Sequence, residues 1–150
     1  ATLAVRHPSR NRVAGRFAIG IVHSGWQGTL IKICETAVQE ASEHFACQPS
    51  DWHVGIGPGI CGNCYEVGAE VREKYLAAWG ADAEKYFKPH GQKCWLDLAA
   101  AIEDTLLAAG IQNLESPRIC TAENLNEWYS YRKEKGATGR FGVVMALREA

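Results

Sequence analysis

A single histidine at the end of an apolar run is the residue best suited to chemistry in this sequence. The run 17–22 ends at His23, and Gly25 and Gly28 then bracket Trp26 before a long helical pattern begins. This order predicts a strand, a tight turn and a helix N-terminus. Backbone N–H groups at a helix N-terminus favour an anion. We therefore expect an imidazole placed for an anion or a metal-bound substrate, with a core histidine in a tight turn as the alternative.

The elements around this turn predict a mixed α/β domain, because strand patterns alternate with three helical patterns. The predicted strands are 2–5, 17–23, 52–56, 94–96, 118–120 and 141–147. The predicted helices are 27–45, 67–79 and one that Asp97 caps and Gly110 closes. A basic loop ends at Arg16, and further loops are predicted at 57–68 and 88–92.

Length and composition limit the classes of partner. A chain of 150 residues has room for one domain with a substantial core. Its net charge of −1 gives no reason to expect a nucleic-acid or membrane partner, and no apolar stretch approaches the roughly 18 residues of a membrane span. The six cysteines occur without a secretion signal, so we expect reduced thiols and a cytoplasmic protein. Self-association stays open.

Cys61 and Cys64 have the spacing of a redox pair or of half a zinc site. A structural zinc site would require a second such pair or two well-spaced histidines, and the sequence shows neither. A thioredoxin-like motif would place the first cysteine at a helix start, whereas the predicted helix begins after the second cysteine. A structural zinc site and a redox pair are therefore both disfavoured. Either cysteine could still be a nucleophile or pack within the loop.

Charged residues near other predicted turns offer two further groups for chemistry. Arg132, Lys133 and Arg140 bracket a glycine turn. They form either a solvated charge run or a site where Arg132 or Arg140 binds phosphate or carboxylate. Glu66 and Asp97 are either capping or acid/base groups, and Asp97 is first a cap.

Four blocks of this sequence resemble the laccase-domain family, which includes YfiH-like proteins, multicopper polyphenol oxidoreductase-like proteins and purine nucleoside phosphorylases. The blocks are 22–28, which is similar to a His-Ala-Gly-Trp-Arg-Gly signature, then 57–60 with 64–68, 90–98, and 120–121 with 129–132 and 139–140. The resemblance implies an α+β fold, a layered α/β/β/α-type sandwich with a mixed sheet. It also implies one domain over residues 1–150 that lacks the family's N-terminal region.

The same resemblance implies a metal, usually zinc, held by two histidines and a cysteine, with copper as the alternative. His23 falls on one of these ligands. The other two belong to upstream segments of the family, and no cysteine precedes Cys34 here. Gln27 replaces the arginine of the signature. The missing ligands would come from Cys64, His90 or a second chain; otherwise the site has lost its metal.

The resemblance implies an enzyme that acts on purine nucleosides, by phosphorolysis or deamination, with the nucleoside and phosphate as its small-molecule partners. Its catalytic candidates are His23, Cys64 and Arg132, and its substrate-binding candidates are Gly25, Trp26, Gln27, Tyr65, Glu66 and Arg140. One alternative is a non-catalytic relative that binds a ligand. The other is a copper-dependent phenol oxidase, which five histidines make less favourable because laccase chemistry needs several coppers.

Overall fold

Two β-sheets and four α-helices make up the described part of this computed structural model, which covers residues 2–7, 18–91 and 93–146. The strands are β1 (Thr2–His7), β2 (Ala18–His23), β3 (His53–Ile56), β4 (Glu66–Gly68), β5 (Phe87–His90), β6 (Lys93–Leu96) and β7 (Asn113–Glu115). The helices are α1 (Trp26–Leu30), α2 (Ile33–His44), α3 (Ala69–Trp79) and α4 (Leu98–Ala108), with 3-10 turns at Pro49–Asp51 and Ala81–Tyr86. The predicted mixed α/β class is confirmed.

The larger sheet has the strand order β2-β1-β3-β7. β1 runs antiparallel to both of its neighbours, whereas β3 and β7 are parallel. Thr2 lies opposite His23 in the β1–β2 register, so the histidine is at the end of an edge strand. The smaller sheet is antiparallel, with the order β4-β6-β5.

The core forms where the helices cover these sheets. α4 is apolar on most of its surface and buries Leu98, Ala101, Ile102 and Leu106. α2 contributes Cys34 and Val38, and α3 contributes Val71 and Tyr75. A helix stripe of this kind predicts burial from spacing alone, and Cys34 on the buried face of α2 is only 2% exposed.

The single helix predicted over 27–45 is instead two helices, α1 and α2. Lys32 between them adopts a left-handed backbone with φ of 56°. The indole Nε1 of Trp79 donates to the carbonyl oxygen of Leu30 at 2.8 Å, which satisfies a backbone acceptor at the end of α1. Ile31 and Ile33 flank the break, and β-branched residues have a lower helix propensity than alanine or leucine. Tertiary contacts therefore end the first helix at a point where the apolar spacing of the sequence predicts that it continues.

Other predicted boundaries also need correction. The helix predicted over 67–79 begins at Ala69, because 66–68 pairs with β6 as a strand. The loop predicted over 88–92 was wrong for 88–90, which belong to β5. A strand was predicted over 141–147, but residues 141–146 have no regular structure. Of the strand predicted over 118–120, only Cys120 pairs with another segment, through an isolated β-bridge to Gly59. The basic loop and the residues Phe17, Gln92 and Leu147 lie outside the described residues, and β7 was not predicted.

Within the residues that the structure describes, no helix is long and apolar enough to cross a membrane. All six cysteines are free thiols, which agrees with the expectation of reduced thiols.

Candidate functional site

The turn after β2 holds His23 over a tightly hydrogen-bonded backbone. The buried hydroxyls of Ser24 and Thr29 are 2.7 Å apart, and the N–H of Thr29 donates to the carbonyl of Gly25 at 2.9 Å. A Cβ placed on Gly25 would lie 3.7 Å from Nε2 of His23, so the imidazole lies directly over the turn. The histidine is exposed to solvent. Because α1 has only five residues, chemistry at this turn rests on the imidazole rather than on a helix dipole.

The described residues do not complete a metal site on His23. No group of three or more histidine, cysteine or acidic ligands includes it within the described ranges. Cys64 belongs to a different cluster, and the side chain of His90 lies outside the description. Zinc sites use three or four protein ligands, so the described residues alone do not hold zinc at His23.

Arg132 lies against the segment that connects the Cys61–Cys64 turn to β4. Its Nη1 donates to the carbonyl oxygen of Glu66 at 2.7 Å, and its guanidinium carbon lies 5.1 Å from the ring centroid of Tyr65. The Glu66 carboxylate in turn accepts Lys93 Nζ at 2.9 Å. The remaining N–H donors of Arg132 have no partner among the described residues. A positioned guanidinium with free donors can bind a phosphate.

The other predicted substrate-binding residues lie at two places. The guanidinium carbon of Arg140 lies 5.2 Å from the ring centroid of Tyr131, and its Nη1 donates to the carbonyl of Gly139 at 3.1 Å. Arg140 thus contacts different residues from Arg132. Trp26 is half-buried on the core, and Lys74 lies 5.4 Å from its ring. Gln27 is exposed beside it.

Helix α3 connects the His23 turn with the Arg132 group. Tyr75 is fully buried, and its hydroxyl donates to the carbonyl oxygen of Trp26 at 2.8 Å. Burial raises the pKa of Tyr75, and the neighbouring Tyr65 adds to the rise. One helix that begins just after Glu66 therefore supports both groups.

Replacing Tyr75 by Phe is expected to lower the free energy of unfolding by about 1–2 kcal/mol, because the carbonyl of Trp26 loses its donor. Urea unfolding of the variant measures this loss. The exposed Tyr129 provides the control, since Tyr129→Phe should change stability by less than about 0.5 kcal/mol. Equal losses in both variants would contradict the role given to the Tyr75 hydroxyl.

Three cysteines and a glutamate form a second group of side chains. The ligand atoms of Cys61, Cys64, Cys120 and Glu123 all lie within 4.8 Å of one another, so these residues could hold a metal ion. The Cys61 and Cys64 sulfurs lie 3.7 and 3.6 Å from Oε1 of Glu123, and the backbone N–H of Cys61 donates to the Cys120 sulfur at 3.3 Å. The structure thus places two further candidate ligands beside the Cys-x-x-Cys pair, Cys120 and Glu123, neither of which was among the predicted site residues.

The protonation of this cluster is uneven. Burial, followed by the Cys61 thiol and the charges of its neighbours, raises the pKa of Cys64 to about 12. Burial also raises the pKa of Cys61. Burial acts in the same direction on Cys120, but N–H groups of the backbone and the Cys61 thiol outweigh it, and the pKa falls. Cys64 is therefore a neutral thiol at neutral pH, which makes it a weak nucleophile on its own.

A cavity of about 210 Å³ adjoins the cluster on the other side of the Cys61–Cys64 turn. It lies between β3 and the start of α4, and Lys88 and Arg118 are among its lining residues. The Arg118 guanidinium pairs with the carboxylates of Asp97 and Glu103. These acids occupy Arg118, whereas Lys88 Nζ donates to the neutral amide oxygen of Asn63 at 2.7 Å.

Gly62 in the same turn packs directly on the start of α4. A Cβ there would lie 2.8 Å from the Cβ of Asp97 and 3.0 Å from its Cα, while Asp97 Oδ1 accepts the N–H of Ala100 as the predicted cap. Gly62→Ala is expected to cost about 1–3 kcal/mol, measured by urea unfolding, because backbone must shift. Gly55 has nothing within 4 Å of its added Cβ, so Gly55→Ala should be tolerated. Equal costs would contradict this close packing.

Comparison with known proteins gives the family. The sequence profile of the family described as multi-copper polyphenol oxidoreductase laccase matches residues 13–148. The chain belongs to this laccase family. Proteins named purine nucleoside phosphorylase are among the relatives of this laccase-family chain. One from Deinococcus radiodurans is 36% identical over 131 residues, and the Escherichia coli protein named YfiH is 31% identical over 129 residues. Each alignment covers 86% of this chain but 49% and 51% of the relative, so the chain spans about half the length of these curated relatives.

Solved structures agree with the family and the fold. The Bacillus licheniformis hypothetical protein YfiH matches with a TM-score of 0.80 at 28% identity, over 92% of this chain and 51% of its own. YlmD from Geobacillus stearothermophilus matches with a TM-score of 0.76 at 26% identity, over the same shares. The predicted resemblance to YfiH-like proteins is thus confirmed, and the curated relatives reported above are named purine nucleoside phosphorylase.

Proposed function

We propose that this chain carries part or all of a purine nucleoside phosphorylase site, in which Arg132 binds phosphate. The observation that carries the proposal is the placement of the Arg132 guanidinium on Tyr65 and the Glu66 carbonyl, with several of its N–H donors free among the described residues. The names of the relatives favour the same substrate class.

The reaction requires little covalent chemistry from the protein. The bond from ribose C1′ to N9 of the purine breaks, and a bond from C1′ to a phosphate oxygen forms. The purine leaves with the bonding pair and takes up a proton, so the products are the free base and ribose 1-phosphate. Arg132 would hold the dianion in line with C1′, which lowers the entropic barrier to attack.

Stabilising the departing base is the second task. His23 is exposed at the end of β2 and can hydrogen-bond to a purine nitrogen, which steadies the charge that develops there. Tyr65 and Trp26 provide aromatic surface for the base. In this proposal the side chains act without a metal ligated by His23.

A product assay tests the proposal. The reduced protein is incubated with inosine or adenosine, with and without phosphate, and the bases, nucleosides and ribose 1-phosphate are separated by chromatography. We expect free base and ribose 1-phosphate in equal amounts, only when phosphate is present. Conversion of adenosine to inosine without phosphate would show deamination instead. Unchanged nucleosides would refute the catalytic proposal and favour a relative that only binds a ligand.

If the protein binds a metal, we propose that the metal is zinc; copper is the alternative, because the family description names it. Laccase chemistry requires several coppers and hence many imidazoles, whereas the one ligand group found in the described residues contains no histidine. We expect no oxidation of a phenolic dye when Cu²⁺ is supplied to the protein. Dye oxidation that disappears with a chelator would instead support the oxidase.

A further inference from the structure

We propose that Cys61, Cys64, Cys120 and Glu123 form a structural zinc site, separate from His23, which fastens the C-terminal segment to the β3–β4 loop. The C-terminal segment is defined as residues 120–146 and the β3–β4 loop as residues 57–65. The site does not depend on the proposed nucleoside chemistry.

The size of the cluster fits a tetrahedral zinc ion. Zinc binds thiolate at about 2.3 Å, which sets neighbouring sulfurs about 3.8 Å apart, and carboxylate at about 2.0–2.2 Å. The four donor atoms already lie within 4.8 Å of one another. Closing the cluster around the ion therefore requires shifts of about 1 Å or less, which side-chain rotation can supply.

The backbone holds the two halves of this site in position. The N–H groups of Cys64 and Tyr65 donate to the carbonyl of Cys61 at 3.0 and 2.9 Å, which defines the turn between the first two cysteines. Asn124 Nδ2 donates to the carbonyl of Cys120 at 2.8 Å and defines the second turn. The bridge between Gly59 and Cys120 brings the two turns together.

The charges of the cluster also favour a cation. Three thiolates and a carboxylate whose ligand atoms lie within 4.8 Å of one another would repel each other if no ion lay between them. A divalent ion removes the repulsion and stabilises the thiolates. Three sulfur ligands favour zinc or copper over magnesium or calcium, and the added carboxylate favours zinc.

Four protein ligands leave a zinc ion no open position, so the site is structural rather than catalytic. The described residues of the C-terminal segment form turns without a helix or a strand, apart from the Cys120 bridge. The segment carries Arg132, whose partners Tyr65 and Glu66 directly follow Cys64. Joining the two turns through zinc therefore keeps Arg132 against Tyr65.

Metal analysis of protein purified and reconstituted under reducing conditions tests the site. We expect about one zinc per chain, and a cobalt-substituted form with tetrahedral ligand-field bands and thiolate-to-cobalt charge transfer. Cys64→Ser and Cys120→Ser should lose the metal and the charge-transfer bands. Cys47→Ser is the matched control, because Cys47 is half-buried outside the cluster, and it should keep both. His23→Ala should also keep the zinc.

Two further measurements cover variants that fail to fold. Glu123→Gln removes only an exposed carboxylate and should weaken zinc affinity at least about 10-fold in a folded protein. Removing zinc from the wild type with a chelator should open the C-terminal segment to trypsin at Arg132, Lys133 and Lys135, and adding zinc should restore protection. The proposal would be overturned if metal-free protein could not be reconstituted with zinc, or if a stable Cys61–Cys64 disulfide formed under these conditions. It would also be overturned by an unchanged zinc affinity in Glu123→Gln, or by binding of copper in preference to zinc.

Discussion

Arg132→Gln is expected to reduce kcat/KM for phosphate by about 100- to 1,000-fold, the usual loss when a single donor to a developing or transferred anion is removed. The change eliminates the positive charge but keeps a polar side chain of similar length. Because the guanidinium contacts only a carbonyl oxygen and an aromatic face, its loss leaves no buried carboxylate unpaired. Initial rates at varied phosphate concentration measure the effect, and unfolding in urea checks that the fold is retained.

Lys133 gives a matched control for this prediction. It is the next residue in the chain, it is also exposed, and no contact ties it to Tyr65 or Glu66. Lys133→Gln removes the same charge and should change kcat/KM less than about threefold, as expected for a solvent-screened surface cation. Comparable losses in both variants would show that net charge, rather than a positioned guanidinium, attracts the phosphate.

Zinc affinity of the cysteine cluster is expected to rise at least about 100-fold per pH unit between about pH 6 and pH 8. The raised pKa values of Cys61 and Cys64 keep both thiols neutral in this range, so each releases a proton when zinc binds. Competition with a chromophoric chelator at several pH values measures the slope. A nearly flat profile would mean that thiolates are not the ligands.

The metal-free protein should show the opposite trend. A thiol whose pKa is raised by folding binds its proton more tightly in the folded state, so this contribution to stability is complete below the ordinary thiol pKa. It is lost as pH rises from about 9 towards the pKa of Cys64 at about 12. Urea unfolding with a chelator present should therefore show a fall in stability over this window, and Cys64→Ser should reduce the fall. An identical fall in the variant would place the titration elsewhere.

Local sequence signals predicted the parts of the site that depend on neighbouring residues. The strand, turn and helix around His23 follow from an apolar run and two glycines, and the Asp97 cap follows from its place before an apolar helix. Tyr65 and Glu66 are adjacent in the sequence, where the loop after β3 ends and β4 begins, so their proximity is local in the same sense.

The cysteine cluster depends on a contact that no local pattern contains. Cys120 reaches Cys61 only because its segment pairs with Gly59 across about sixty residues of chain. The spacing of Cys120 and Glu123 repeats that of Cys61 and Cys64, and a search for carboxylate as well as sulfur ligands would have found it. The break at Lys32 was missed for a related reason, because the indole of Trp79 ends α1 from another helix.

The central claim is that phosphate binds at Arg132 in a purine nucleoside site. A crystal structure of the protein with phosphate and inosine tests it most directly. We expect a phosphate oxygen within hydrogen-bond distance of the Arg132 guanidinium, with the purine between Tyr65 and the His23 turn. Phosphate and purine bound in the cavity beside Arg118 and Lys88, with no ligand at Arg132, would contradict the claim.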